Sequence, residues 1–222
     1  MRYLLLTLII FNLTSCDFKT SSDYNAEAEK LEKVGKYKDA ISLLNIAIEK
    51  DPENLYALTN RAVDKSIIED YIGAIKDYST IIKIDPDNTL AYLNRGKNKK
   101  RLDDFKGAID DFNSAIKTKG TDVIYIDKIE NSIIDGFEFD VAMEEIRYER
   151  GIAYYNIDSS KTAFQDFDFC IQKNFELGNS YLYRGHIFHA YRKNKEACLD
   201  YQNALKNGNE EAIKWIKQDC NE

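Results

Sequence analysis

A 34-residue period constrains this chain more than any other feature. Tyr-Leu-Asn-Arg95-Gly96 returns as Tyr-Leu-Tyr-Arg184-Gly185, and Ala108-Ile-Asp-Asp111-Phe112 returns as Ala197-Cys-Leu-Asp200-Tyr201. Arg61, Arg95, Arg150 and Arg184 are separated by 34, 55 and 34 residues, and Asp77, Asp111, Asp166 and Asp200 keep the same intervals. One unit is therefore 34 residues long, and one junction carries 21 more (55 minus 34). A unit this short cannot bury its apolar face alone, so neighbours must stack into a continuous core.

Within a unit the pattern is helical. Phe105, Ala108, Ile109, Phe112, Ala115 and Ile116 fall at i, i+3, i+4, i+7, i+10 and i+11, a single apolar stripe. Leu90 to Leu102 is long enough for a preceding helix, and Asp103-Asp104 separates the two as turn and cap. The only prolines, Pro52 and Pro86, also lie 34 apart, each in an Asp-Pro pair that stops a helix. The spacing predicts five helical hairpins at about 21–54, 55–88, 89–122, 144–177 and 178–211. Small residues recur where the helices of a hairpin must approach: Ala62, Gly96, Gly151 and Gly185 in the first, and Ala74, Ala108, Ala163 and Ala197 in the second.

The resulting unit resembles the tetratricopeptide repeat: small residues at its eighth and twentieth positions, an aromatic at its twenty-fourth (Tyr78, Phe112, Phe167, Tyr201) and proline at its thirty-second. The resemblance covers about residues 21–211 and implies an all-α, right-handed superhelical array. The unit at 21–54 departs from it, with Glu27 and Leu43 where the others have Arg and Asp, as suits an end repeat. Residues 210–219, with Ile213 and Trp215 or Ile216 on one face, read as a capping helix. The whole repeat domain is expected over 24–222.

The stretch before the repeats reads as an export signal. Arg2 is followed by an apolar run, Leu4 to Leu13, too short to span a bilayer, which needs roughly 20 apolar residues. Its ending, Leu13-Thr14-Ser15-Cys16, resembles the lipobox of bacterial lipoproteins. That resemblance implies a signal over 1–15, acylation of Cys16 and lipid anchoring to an envelope membrane on its periplasmic or surface-facing side. Residues 17–23 read as a flexible spacer. The chain has 31 basic and 38 acidic side chains, so contact with nucleic acid or anionic lipid by charge is disfavoured.

Catalytic constellations are missing from the sequence: it holds no Gly-rich phosphate loop, nucleophile elbow or His-Glu-x-x-His. The Arg and Asp of each unit are 16 residues apart (Arg61 and Asp77, Arg95 and Asp111, Arg150 and Asp166, Arg184 and Asp200), which carries the pair across the hairpin. Active sites are single and this pair is repeated, so it reads as structural. His186 and His189 share a helix face but lack a third and fourth metal ligand, so neither a metal nor a cofactor is expected. Cys170 and Cys198 occupy second-helix core positions, whereas Cys198 with Cys220 is the easiest pair to oxidise in an exported protein.

Function is then expected on the concave face. In the family that face uses first-helix positions two, five, nine, twelve and thirteen. Carried over, these are Tyr56, Thr59, Val63, Ser66 and Ile67 in the second unit, and Leu90, Leu93, Lys97, Lys100 and Arg101 in the third. Tyr148 and Tyr155 follow in the fourth unit, and His186 and His189 in the fifth. Such a groove is basic in its middle and aromatic beyond, suited to a peptide with acidic groups. The 21 extra residues, about 123–143, form either an irregular loop or a two-stranded flap, with Phe137 and Phe139 either contacting a ligand or filling the gap between hairpins. The expected function is a membrane-tethered, non-catalytic scaffold for a protein or peptide. The alternative is an envelope sensor or carrier of a small ligand or metal at the Tyr155, His186 and His189 end.

Overall fold

The computed structural model describes residues 18–118, 123–125, 137–139 and 141–220. Cys16, the apolar run before it and most of the 123–143 insertion lie outside them. Ten helices pair as hairpins: α1 (Ser21–Glu32) with α2 (Tyr37–Lys50), α3 (Leu55–Ile67) with α4 (Tyr71–Ile84), and α5 (Thr89–Arg101) with α6 (Phe105–Lys117). After β1 (Val123–Tyr125) and β2 (Phe137–Phe139) come α7 (Met143–Asn156) with α8 (Ser160–Gln172), and α9 (Leu177–Ala190) with α10 (Asn194–Lys206). An eleventh, α11 (Ala212–Asp219), closes the array. The spacer expected over 17–23 is shorter than that, because Thr20 and Asp23 form a capping box that starts α1 at Ser21.

Each hairpin turns on one left-handed residue: Gly35, Glu69, Asp103, Asp158 and Arg192, with φ between 57° and 74°. Behind it the amide of the next residue bonds back across the turn, as in Asp70 N to Lys65 O (2.8 Å), Asp104 N to Lys99 O (3.0 Å) and Lys193 N to Phe188 O (2.9 Å). This closes the last turn of each first helix by the pattern that glycine usually serves. Between hairpins, Asn54 and Asn88 cap the following helices, each accepting an amide bond at 2.9 Å.

The core is a column of aromatic rings set against small residues. Tyr78, Phe112, Phe167 and Tyr201 are each at most 1% exposed. A Cβ on Gly96 would sit 2.6 Å from the Phe112 ring, and one on Gly185 would sit 2.7 Å from the Tyr201 ring. Glycine at these points is a requirement of close helix contact.

Four arginines tie the hairpins together. The Nε and Nη2 of Arg61, Arg95, Arg150 and Arg184 donate to both oxygens of Asp77, Asp111, Asp166 and Asp200 at 2.6–2.9 Å. The remaining Nη1 reaches back to the second helix of the preceding hairpin. It donates to Asn45 (2.8 Å), Ser79 (3.0 Å), Asn113 (2.8 Å) and Asp168 (2.6 Å) respectively. Each guanidinium thus joins three helices, one more than the 16-residue spacing indicates.

The junction with 21 extra residues is closed like the others. Arg150 bridges to Asn113 across it, and one apolar cluster runs from Leu93, Phe112 and Ala115 through Val141 to Ile146 and Ala153. The insertion leaves the array as an antiparallel ribbon, pairing Val123 with Phe139, Ile124 with Glu138 and Tyr125 with Phe137. The side chains of Phe137 and Phe139 lie outside the described residues.

The arginine ties differ in redundancy, which makes them testable. Asp77 and Asp111 keep a second cation, Lys65 at 2.7 Å and Lys99 at 2.8 Å, whereas Asp166 has Tyr154 at the equivalent place and relies on Arg150. Arg150→Met should cost about 3–5 kcal/mol by stranding a buried carboxylate. Arg95→Met should cost visibly less in the same chemical denaturation experiment, and equal losses would refute the difference.

Candidate functional site

The first helices of successive hairpins touch one another, so the array curves towards them and they line its inner face. Side chains lace that face together. Tyr56 OH donates to Glu29 (2.7 Å), Asn60 Nδ2 to Asn25 (3.3 Å) and Ser66 Oγ to Asn98 (2.9 Å). Further along, Lys97 pairs with Glu145 and Lys100 with Glu149, and Tyr155 OH lies 3.5 Å from His186 Nδ1.

Several residues expected to face a ligand are therefore engaged within the fold. Leu93 is 1% exposed and belongs to the core, because its position faces the hairpin partner α6. Lys97 and Lys100 are neutralised by acids of α7, so the basic middle of the groove reduces to Arg101, which is exposed and makes no ion pair among the described residues. Tyr56 is held by Glu29; burial first, and this bond next, keep its phenol above the ordinary range. Tyr148 packs edge-on against Phe167 and Phe175, and Tyr155 against Tyr183.

The fifth hairpin is covered by α11. His186 lies 4.7 Å from the Trp215 ring, and Tyr201 stacks on the same indole at 5.8 Å. Burial lowers the His186 pKa below its ordinary value. His189 Nδ1 is 2.8 Å from Asp219 Oδ2, an ion pair when the imidazole is protonated, without the geometry of a hydrogen bond. Among the described residues no three His, Cys, Asp or Glu side chains converge on a point that suits a metal ion. Cys198, expected in the core, is only half-buried; it forms a disulfide with Cys220 across a Cα separation of 5.4 Å. Cys170 is buried, which pushes its thiol up to about 12.

Among the described residues, the inner face holds an open cleft of about 280 Å³ between α3 and α5. Val63 and Ile67 give it apolar surface, 38% and 49% exposed, beside Tyr71, and Ser66, Asn94, Asn98 and Arg101 give it polar edges. Tyr71, Asn94 and Asn98 were not among the positions expected from sequence. Asn94 and Asn98 are one turn apart on α5, and that i, i+4 spacing was the available signal.

At the same face near α1 sit two unsatisfied carboxylates. Among the described residues Glu32 Oε1 and Asp64 Oδ2 have no hydrogen-bond partner. Burial, then repulsion from Glu32, pushes Asp64 up to about 7.

No protein-family model and no curated protein matches this sequence. Solved structures do match in shape. MamA is 18% identical with a TM-score of 0.68, over 84% of this chain and 96% of that one. YrrB, a TPR protein with an unusual peptide-binding site, is 15% identical with a TM-score of 0.69, over 89% and 92%. PilF of Pseudomonas aeruginosa is 15% identical with a TM-score of 0.65, over 85% and 76%. The fold is that of a tetratricopeptide repeat protein. In this tetratricopeptide array the cleft between α3 and α5 is an open part of the inner face among the described residues.

The Asp64 carboxyl gives this end of the array a pH dependence. A folded pKa raised above the unfolded value means that the folded chain holds the extra proton, so stability is lost as pH rises from the unfolded value through about 7. Asp64→Asn should therefore raise Tm at pH 8 and change it little at pH 5. A Tm difference that stays constant with pH would contradict this reading.

Proposed function

We propose that this chain is a non-catalytic scaffold that holds a protein or peptide segment in the cleft between α3 and α5. The observation that carries the reading is the contrast along the inner face: most polar groups there are spent on lacing helices, while Val63, Ile67, Asn94 and Arg101 are left facing open space. An apolar side chain fits against Val63 and Ile67, and a carboxylate or carbonyl of the same segment suits the Arg101 guanidinium. The peptide site of YrrB, a structure of the same fold, supports the class of ligand.

We further propose that the scaffold is exported and anchored to a bacterial envelope membrane by acyl chains on Cys16. The support is the apolar run ending in Leu13-Thr14-Ser15-Cys16, together with the Cys198–Cys220 disulfide, which suits an oxidising compartment. No helix of the described residues is long and apolar enough to cross a membrane.

Charge reversal of Lys97 and Lys100 would also break the ties from α5 to α7, so Arg101 and Ile67 are the clean probes. A pull-down from envelope extracts should recover one protein with the wild-type chain, and roughly tenfold less, about 1.4 kcal/mol, with Arg101→Glu or Ile67→Glu. Undiminished recovery by both variants, with their helical circular dichroism intact, would sink the groove assignment. Separately, labelled palmitate should enter the wild-type chain in cells and be absent from Cys16→Ser; equal labelling would remove the anchor.

A further inference from the structure

We propose a second docking surface, the cleft between α8 and α9, for an acidic peptide segment that carries a large apolar side chain. The cleft measures about 520 Å³, within the range of roughly 300–1,000 Å³ typical of ligand sites. Phe164, Ile187, Phe188 and Tyr191 line it, and Lys161 and Lys193 stand at its edge. Phe164 and Phe188 meet edge to face at 5.3 Å, and Tyr191 is 62% exposed. Phe188 follows His186 by two residues, roughly 200° around the helix, so the cleft opens away from the inner face.

The repeat itself shows that this place is specialised. Where Phe188 stands, the second and third hairpins have Lys65 and Lys99, which bind Asp77 and Asp111. Where Lys193 stands, they have Asp70 and Asp104, which cap the following helices by accepting amide bonds from Gly73 (3.0 Å) and Gly107 (2.9 Å). The fifth hairpin exchanges both, an aromatic ring for a half-buried cation and a cation for the capping acid; the fourth, with Tyr154 and Ser159, has the ring without the cation, and the first, with Leu31 and Lys36, has the cation without the ring. Lys193 makes no side-chain cap bond. Giving up such a cap costs about 1 kcal/mol.

The exchange leaves positive charge around apolar surface. Arg192 and Lys195 flank Lys193, and among the described residues neither Lys161 nor Lys193 has an acidic partner. The ammonium of Lys193 lies 5.7 Å from the Phe188 ring centroid. On a chain of net charge −7 this rim is a local reversal of sign. It complements carboxylates beside an apolar side chain seated on the rings.

The test uses fluorescein-labelled hexapeptides in which one Phe, Leu or Trp sits among five Asp and Glu residues, titrated with the full chain and read by fluorescence anisotropy. At least one should bind saturably below about 100 µM and weaken with salt. Lys161→Glu with Lys193→Glu should weaken it at least tenfold, and Tyr191→Ala several-fold; all three side chains are at the surface, so folding is spared. Arg101→Glu, in the inner groove, should leave it unchanged, which keeps this site distinct from the groove. The proposal is overturned if none of the peptides binds, or if a Ser-for-apolar control peptide binds as well. Indifference to the double reversal overturns it too. Concentration-dependent dimerisation abolished by the double reversal would assign the cleft to a second copy of the chain, against the proposal.

Discussion

Stacked hairpins are held in register by a guanidinium clamped between three helices. Apolar contacts alone let two helices slide, because one methyl packs against a ring much like the next. A bidentate bond to a buried aspartate does not, since its two parallel hydrogen bonds have one geometry. By adding a third bond to the hairpin before, each arginine sets the position of a hairpin within the array as well as its internal alignment. The same bond spans the enlarged junction, from Arg150 to Asn113, so the stacking of hairpins continues past the ribbon.

Much of the architecture was legible in the sequence, for a physical reason. Repetition turns one weak pattern into five agreeing ones, and small residues facing aromatics leave few alternatives. The third bond of each arginine escaped that reading, although Asn45, Ser79, Asn113 and Asp168 keep the 34, 34 and 55 spacing. Their differing side chains concealed it. The left-handed turn residues were not legible, because Glu69 and Arg192 occupy a conformation that composition assigns to glycine.

The inner face was read less well. Repeat position indicates which side chains point inward, but not whether a neighbouring helix uses them first. Lys97 and Lys100 point inward and are met by Glu145 and Glu149, acids 48 and 49 residues away, a distance over which sequence gives no pairing signal. Leu93 also belongs to an inward-facing repeat position yet is covered by its own hairpin. The open cleft is the remainder after such internal pairing, and a remainder is visible only once the helices are placed.

The bond between Cys198 and Cys220 has a consequence for how the molecule comes apart. A solenoid has no central core, so it unravels from its ends, each helix held by its neighbour alone. At one end α11 is stapled to α10 and seats Trp215 on Tyr201. At the other, α1 buries Ala28 as its one fully enclosed apolar side chain and carries Glu32 unsatisfied against Asp64. The array therefore has a polarity that its near-identical units conceal: it unzips from the α1 end, and the α11 end is the last to let go.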